Sequence, residues 1–131
     1  MRILVDTSIW SLALRRKAIS NDKAVTQLRE LITESRVEMI GPIRQEILSG
    51  INYTAHFEKL RQYLAAFEDY PISREDYENA AEMYTLCRKK GIQGSNTDFL
   101  ICAVAINNKM SIFTTDKDFT LFAKMLPIRL T

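Results

Sequence analysis

The chain has 131 residues, 47% hydrophobic and 26% charged, which suits one folded domain spanning 1–131 and excludes a disordered or low-complexity protein. Its net charge of +2, from 18 Lys and Arg against 16 Asp and Glu, excludes a uniformly basic nucleic-acid coat, so any basic surface must be local. The longest apolar run, Phe99 to Ile106, falls short of the ~18 residues of a membrane span, and only Ile3-Leu4-Val5 separate Arg2 from Asp6.

These features predict a cytoplasmic protein without a membrane segment or signal peptide. Cys87 and Cys102 form no C-x-x-C pair, and His56 is the only histidine, which excludes a typical zinc site and leaves two reduced thiols in helices.

Ile3-Leu4-Val5 is a continuous β-favouring run and predicts a short strand buried on both faces. Thr7 or Ser8 opens a helix carrying Ile9, Trp10, Leu12 and Leu14. A second helix follows the capping candidates Ser20, Asn21 and Asp22, with Val25, Leu28 and Ile32 on one face. Val37 to Ile40 is the next strand.

Pro42 to Ser49 forms a short helix containing Glu46, with Pro42 in its first turn and Gly50 as its C-cap. Phe57, Leu60, Leu64 and Phe67 recur at helical spacing and call for a partner surface. Tyr70 to Ile72 reads as a brief strand. Ser73-x-x-Asp76 then opens a helix with a Tyr77, Ala80, Ala81, Tyr84, Cys87 stripe, ended by Gly91 and a polar loop to Gly94.

Ser95 to Asn107 is a helix apolar on every side from Phe99 to Ile106, hence central. Ser111 to Thr114 is a strand, Lys117 to Met125 a helix, and Pro127 to Leu130 a final edge strand. Alternating strands and helices predict an α/β fold with a mainly parallel sheet and right-handed crossovers. Two basic clusters, Arg15-Arg16-Lys17 and Arg88-Lys89-Lys90, fall at helix C-termini, where the helix dipole favours cations with or without a phosphate nearby.

Ligands of open α/β sheets bind beyond the carboxyl ends of the strands. Asp6 follows the first strand and Asp116 follows the strand Ser111 to Thr114, so adjacency of those strands would put both carboxylates in one crevice. Asp98 at the start of the buried helix and Glu46 in the helix after the second strand are two further candidates. Each acid has an ordinary structural reading too. Asp6 can cap the first helix, Ser95-x-x-Asp98 is a capping-box pattern, Asp116 or Asp118 can cap the last helix, and Glu46 can simply be exposed.

Magnitudes separate the two readings if the acids converge. A cap contributes ~1 kcal/mol, whereas two carboxylates ~4 Å apart repel by ~4 kcal/mol at an effective dielectric of about 20. A divalent cation relieves that repulsion, and oxygen-only ligands suit Mg²⁺ or Mn²⁺, which retain waters and recruit phosphate oxygens. Such an ion activates water for in-line phosphodiester hydrolysis, with the hydroxyls of Thr7, Ser8 and Thr114 supporting the acids or their waters. One histidine excludes a two-histidine nuclease, and the absence of G-x-x-x-x-G-K-[ST] excludes a P-loop.

The segments "ILVDTSIW", "IRQEILSG", "NTDFLICAVA" and "IFTTDKDF" occur in this order over nearly the whole chain, which resembles the PIN-domain ribonucleases, specifically the VapC-type toxins of toxin–antitoxin pairs. The resemblance implies a three-layer α/β/α fold and Mg²⁺- or Mn²⁺-dependent endonucleolytic cleavage of RNA, usually structured RNA such as transfer RNA. It matches Asp6, Glu46, Asp98 and Asp116 to the family's acidic quartet. Asp6 and Asp98 are then the direct metal ligands, Asp116 completes the metal site directly or through water, Glu46 positions or deprotonates the attacking water, and Asp118 assists.

The same resemblance implies a homodimer and a cognate antitoxin lying over the active-site groove, with operator DNA bound only through that antitoxin. The Trp10/Leu14 helix and the Phe57-to-Phe67 stripe offer apolar surface for a partner or for the core. RNA affinity would rest on local patches at Arg15 to Lys17, Arg44 and Arg88 to Lys90.

Two other enzyme or signalling classes use strand-end acids. A haloacid dehalogenase phosphatase needs a second Asp two residues after the first, where Ser8 stands, and a receiver domain needs an acceptor Asp after a central third strand. Neither accounts for Asp98. A catalytically silent co-repressor subunit is the remaining alternative.

Overall fold

Leu4 and Val5 are wholly excluded from solvent, as expected of a strand with neighbours on both sides and layers above and below. A computed structural model describes residues 1–14 and 22–131 of the chain. In it β1 (Ile3–Val5) is the central strand of a parallel sheet ordered β2-β1-β3, where β2 is Val37–Glu38 and β3 is Ser111–Phe113. Ile3 is in register with Val37 on one side and Ser111 on the other, and Val5 with Phe113.

Single parallel bridges extend the sheet at each edge. Met39 pairs with Asp69 and Ile112 with Leu130, so the expected strand at Tyr70 to Ile72 does not form, a bridge standing one residue before it, and that at Pro127 to Leu130 is reduced to a one-residue contact. The helices α1 (Thr7–Leu14), α2 (Lys23–Thr33), α3 (Gly41–Leu48), α4 (Thr54–Leu64), α5 (Arg74–Lys89), α6 (Asn96–Asn107) and α7 (Asp118–Phe122) flank this sheet in a three-layer α/β/α arrangement. The last helix is shorter than the expected Lys117 to Met125, because the chain turns after Phe122 to reach the Ile112 edge.

Local signals set the ends of these elements. The carboxylate of Asp22 accepts the backbone N–H groups of Ala24 and Val25 and starts α2. Ser20, Asn21 and the Arg15-Arg16-Lys17 cluster lie outside the described residues. Gly91, at φ 77°, ends α5 in the left-handed conformation that lets the N–H of Ile92 return to the carbonyl of Cys87.

The core lies around α6, buried on all sides from Phe99 to Ala105, as its uniformly apolar sequence predicts. The Asn107 side chain meets Asp76 while the Phe99 ring meets Tyr84, so the end of α6 lies beside the start of α5 and the two form an antiparallel pair. Cys87 and Cys102 are both buried and free. Trp10, Leu60 and Leu64 also belong to the core, whereas Tyr77, expected on the inner stripe of α5, is exposed. Among the described residues no helix is long and apolar enough to cross a membrane.

Candidate active site

β1 and β3 are neighbours and parallel, so Asp6 and Thr114 leave the sheet side by side at its carboxyl end. Asp6 continues the ladder by donating its backbone N–H to the carbonyl of Phe113, which holds its carboxylate at the top of the strand. That side chain is only 6% exposed. It does not cap α1. Its Oδ2 accepts hydrogen bonds from Ser8 Oγ at 2.9 Å and Thr114 Oγ1 at 2.7 Å. The two hydroxyls lie 3.2 Å apart, and Ser8 Oγ also accepts the backbone N–H of Thr115.

The other acids follow the same pattern. Thr114 Oγ1 accepts the backbone N–H of Asp116 at 2.9 Å, so one hydroxyl sets the position of two acids. Asp116 Oδ1 in turn accepts the backbone N–H of Asp118 and shapes the start of α7. Asp98 Oδ2 accepts the backbone N–H of Ser95 at 2.9 Å, completing a capping box with the Ser95 hydroxyl. Glu46, although exposed, is tethered by Thr7 Oγ1, which donates to its Oε1 at 2.7 Å.

Each of the four carboxylates therefore commits one oxygen to the fold. Asp6 Oδ1, Glu46 Oε2, Asp98 Oδ1 and Asp116 Oδ2 accept no hydrogen bond from the described residues. Nor does any described cation pair with them: the ion pairs are Arg36 with Glu34, Arg44 with Asp69, and Arg61 with Glu58. The Asp98 carboxyl is pushed above the ordinary Asp range, first by burial and then by the negative charges of Asp116 and Asp6, against the lowering effect of its bonds to Ser95. Asp6, Asp98 and Asp116 thus lie within electrostatic reach of one another. Glu46 joins them through Thr7 at the start of α1, and the carboxylate of Asp118 makes no hydrogen bond to the described residues.

The donor chemistry suits a hard divalent cation, with oxygens only, uncommitted and lacking counter-charge. Among the described residues no three His, Cys, Asp or Glu side chains stand close enough to grip one ion together. Burial first, and then the charge of nearby Asp98, pushes the thiol of Cys102, one turn beyond Asp98 on α6, well above the usual range.

Two further residues clarify the surroundings. Gly94 packs under the ring of Phe122, and an added Cβ would lie 2.6 Å from Phe122 and 2.9 Å from Phe99. This close approach seats the start of α6 against α7. Its only sequence signal was a glycine in a polar loop. Arg44, expected in an RNA-binding patch, is instead a structural pin: Nε donates to Asp69, Nη1 to the carbonyl of Leu64 and Nη2 to that of Phe67. The Arg88 guanidinium is likewise engaged, bonded to the Tyr84 hydroxyl and lying over its ring, while Lys89 and Lys90 remain exposed.

A family model described as the PIN domain matches residues 3–125. No curated protein matches the chain. Among solved structures, the chain is similar to VapBC2 from Rickettsia felis, described as bound to a DNA fragment from its promoter, at 20% identity and a TM-score of 0.77, covering 100% of this chain and 98% of that one. It is similar to FitAcB from Neisseria gonorrhoeae at 20% identity and a TM-score of 0.75, covering 98% and 95%. It is also similar to VapC20 from Mycobacterium tuberculosis, described as a Sarcin-Ricin loop cleaving toxin, at 18% identity and a TM-score of 0.67, covering 91% and 93%.

Proposed function

The chain belongs to the PIN-domain family, and from that premise we propose that it is the toxin of a VapC-type toxin–antitoxin pair, a Mg²⁺- or Mn²⁺-dependent endoribonuclease hydrolysing phosphodiester bonds of structured RNA such as transfer RNA. The observation that carries this reading is the set of four carboxylates, each with one oxygen held by the fold and one left free beside the strand ends. Asp98 feels the charges of Asp116 and Asp6 with no described cation paired to any of the three, which capping alone does not require.

Asp6, Asp98 and Asp116 are the residues that would hold the cation. When bound, it supplies Lewis acidity at the scissile phosphate and lowers the pKa of a coordinated water. The chain's own groups do the rest. Ser8 and Thr114 hold Oδ2 of Asp6, which keeps Oδ1 turned to the site without reorganisation. Thr7 fixes Oε1 of Glu46, leaving Oε2 to orient the attacking water and take its proton. Asp118 lends its backbone N–H to Asp116 and so assists through the main chain.

A cognate antitoxin as partner, operator DNA reached through it, and a cytoplasmic homodimer form part of the same proposal. The antitoxin and operator-DNA parts of it are supported by the similarity to VapBC2, described as bound to promoter DNA, and to FitAB, described as bound to IR36 DNA. The purified protein is expected to cleave transfer RNA with Mg²⁺ or Mn²⁺ and to stop in excess chelator, and Asp6→Asn is expected to stay folded by circular dichroism while losing cleavage. Metal-independent cleavage, or full activity in Asp6→Asn, would overturn the mechanism; a wild-type protein that stays inert with either metal points to the silent co-repressor.

A further inference from the structure

Between α3, α5 and α6 lies a hollow of about 480 Å³, large enough for one small ligand group. Its floor is the buried pair Ala80 and Leu100, and its rim carries Gln45, Tyr77, Asn96 and Thr97. That rim is polar yet uncharged. By contrast, the hollow along α5 includes Glu82 and Lys89, and the one beside β2 includes Glu38 and Glu68.

The polar groups of this rim are not spent on the fold. Gln45 bonds through its backbone carbonyl and Tyr77 through its backbone N–H, and the side chains of Gln45, Tyr77, Asn96 and Thr97 meet no hydrogen-bond partner among the described residues. At the other end of the α5/α6 pair the amides are engaged: Asn107 donates to Asp76 and Asn79, and Asn108 donates to the carbonyl of Val104 and accepts from the Tyr70 hydroxyl. Tyr77 stands in the same helical stripe as the buried Ala80 and Cys87, yet it is 54% exposed and no described ring packs on it.

The walls of the hollow run directly into the acids. Gln45 precedes Glu46 on α3 and Thr97 precedes Asp98 on α6, each pair ~3.8 Å apart at Cα. What enters between them is therefore the part of a substrate next to the bond cut at the acids. In RNA the charged phosphate suits a cation held by carboxylates. An uncharged rim whose amides present a donor beside an acceptor suits the edge of a base, and an open ring suits its face.

We propose that this hollow receives the base beside the scissile phosphate, with Gln45 and Asn96 reading its edge and Tyr77 stacking on its face, so that it sets the sequence preference of cleavage. This rests on the ribonuclease reading above. Binding is tested first, without cleavage. RNA trinucleotides differing only in the central base are titrated into the full chain in excess chelator, and the side-chain amide signals of Gln45 and Asn96 are followed by NMR. One base should bind at least about fivefold more tightly than the others and move both signals, while the Asn107 amide, held by Asp76 and Asn79, stays in place. Tyr77→Ala should weaken binding of all four roughly five- to a hundredfold, and Tyr77→Phe, which keeps the ring, should recover it.

Cleavage is tested by sequencing the ends cut from a random RNA pool with Mg²⁺ or Mn²⁺. Wild type should prefer one base at a nucleotide flanking the cut, and Gln45→Ala with Asn96→Ala should flatten that preference roughly five- to a hundredfold while preferences at more distant nucleotides persist. Amide signals that stay still, or a flanking preference that survives in the folded double variant, overturn the base assignment and leave the ribonuclease reading standing. Unchanged RNA behaviour joined to loss of self-association assigns the hollow to a second copy of the chain and overturns it likewise. A wild type that neither binds nor cuts RNA overturns both readings.

Discussion

The starts of α5 and α6 are the same local structure with different surroundings. In each, a serine hydroxyl accepts the backbone N–H of an aspartate three residues on at 3.1 Å, and that aspartate's Oδ2 accepts the serine N–H at 2.9 Å. In α5 the spare oxygen of Asp76 is consumed by Asn107 Nδ2 at 2.7 Å, and the residue is only 3% exposed. In α6 the spare oxygen of Asp98 meets no described donor and feels Asp116 and Asp6. A capping box therefore accounts for half of each carboxylate. What surrounds the other half separates a structural acid from one available to a ligand.

The largest expected contrast is in activity. Asp98→Asn should reduce RNA cleavage by at least about a hundredfold, while Asp76→Asn should leave it within a few-fold of wild type once folding is matched. Equal losses in gel assays of cleavage would erase the distinction between the two boxes.

Stability should reverse the order. Asp76→Ala removes a cap and one of the two acceptors of the Asn107 amide, at a cost of about 2 kcal/mol in urea unfolding. Asp98→Asn should raise the melting temperature of the metal-free protein, since it removes a partly buried charge facing two others. The sign with pH follows. The folded state keeps the Asp98 proton to higher pH than the unfolded chain does. Its contribution is therefore most favourable below the ordinary value of 3.8 and is lost as pH rises through the raised one. Thermal scans of wild type minus Asp98→Asn should show this decline.

A smaller test asks whether the seating of α6 matters. Gly94→Ala forces a methyl against Phe122 and Phe99 and should destabilise the fold by about 1–3 kcal/mol. Cleavage should fall further than the lost stability alone explains, because α6 carries Asp98 and α7 follows Asp116. Unchanged melting would show that the two rings can move aside.

Much of the fold was legible because it rests on local chemistry. The doubly buried run Ile3 to Val5, the apolar body of α6, the stop at Gly91 and both capping boxes follow from residue type and spacing, which act through a few neighbouring bonds. The strands expected at Tyr70 to Ile72 and Pro127 to Leu130 were overestimated, since pairing at an edge depends on how much partner strand is left to bond. Arg44 was misread as surface charge for a related reason. Its three acceptors are Asp69 and the carbonyls at the end of α4, separated from it in sequence and adjacent only after folding.

By itself the sequence determined most of the elements, their order and that Asp6, Asp98 and Asp116 stand at element ends, because periodicity, caps and turn residues are short-range properties. Only the tertiary structure decided which oxygens those acids keep free. The parallel pairing of β1 with β3 brings Thr114 onto Asp6, and the packing of α1 beside α3 brings Thr7 onto Glu46. Hydrogen bonds spanning 39 to 108 residues of sequence have no local signal, and here they divide the carboxylates of Glu46 and Asp6 between holding the fold and facing a ligand.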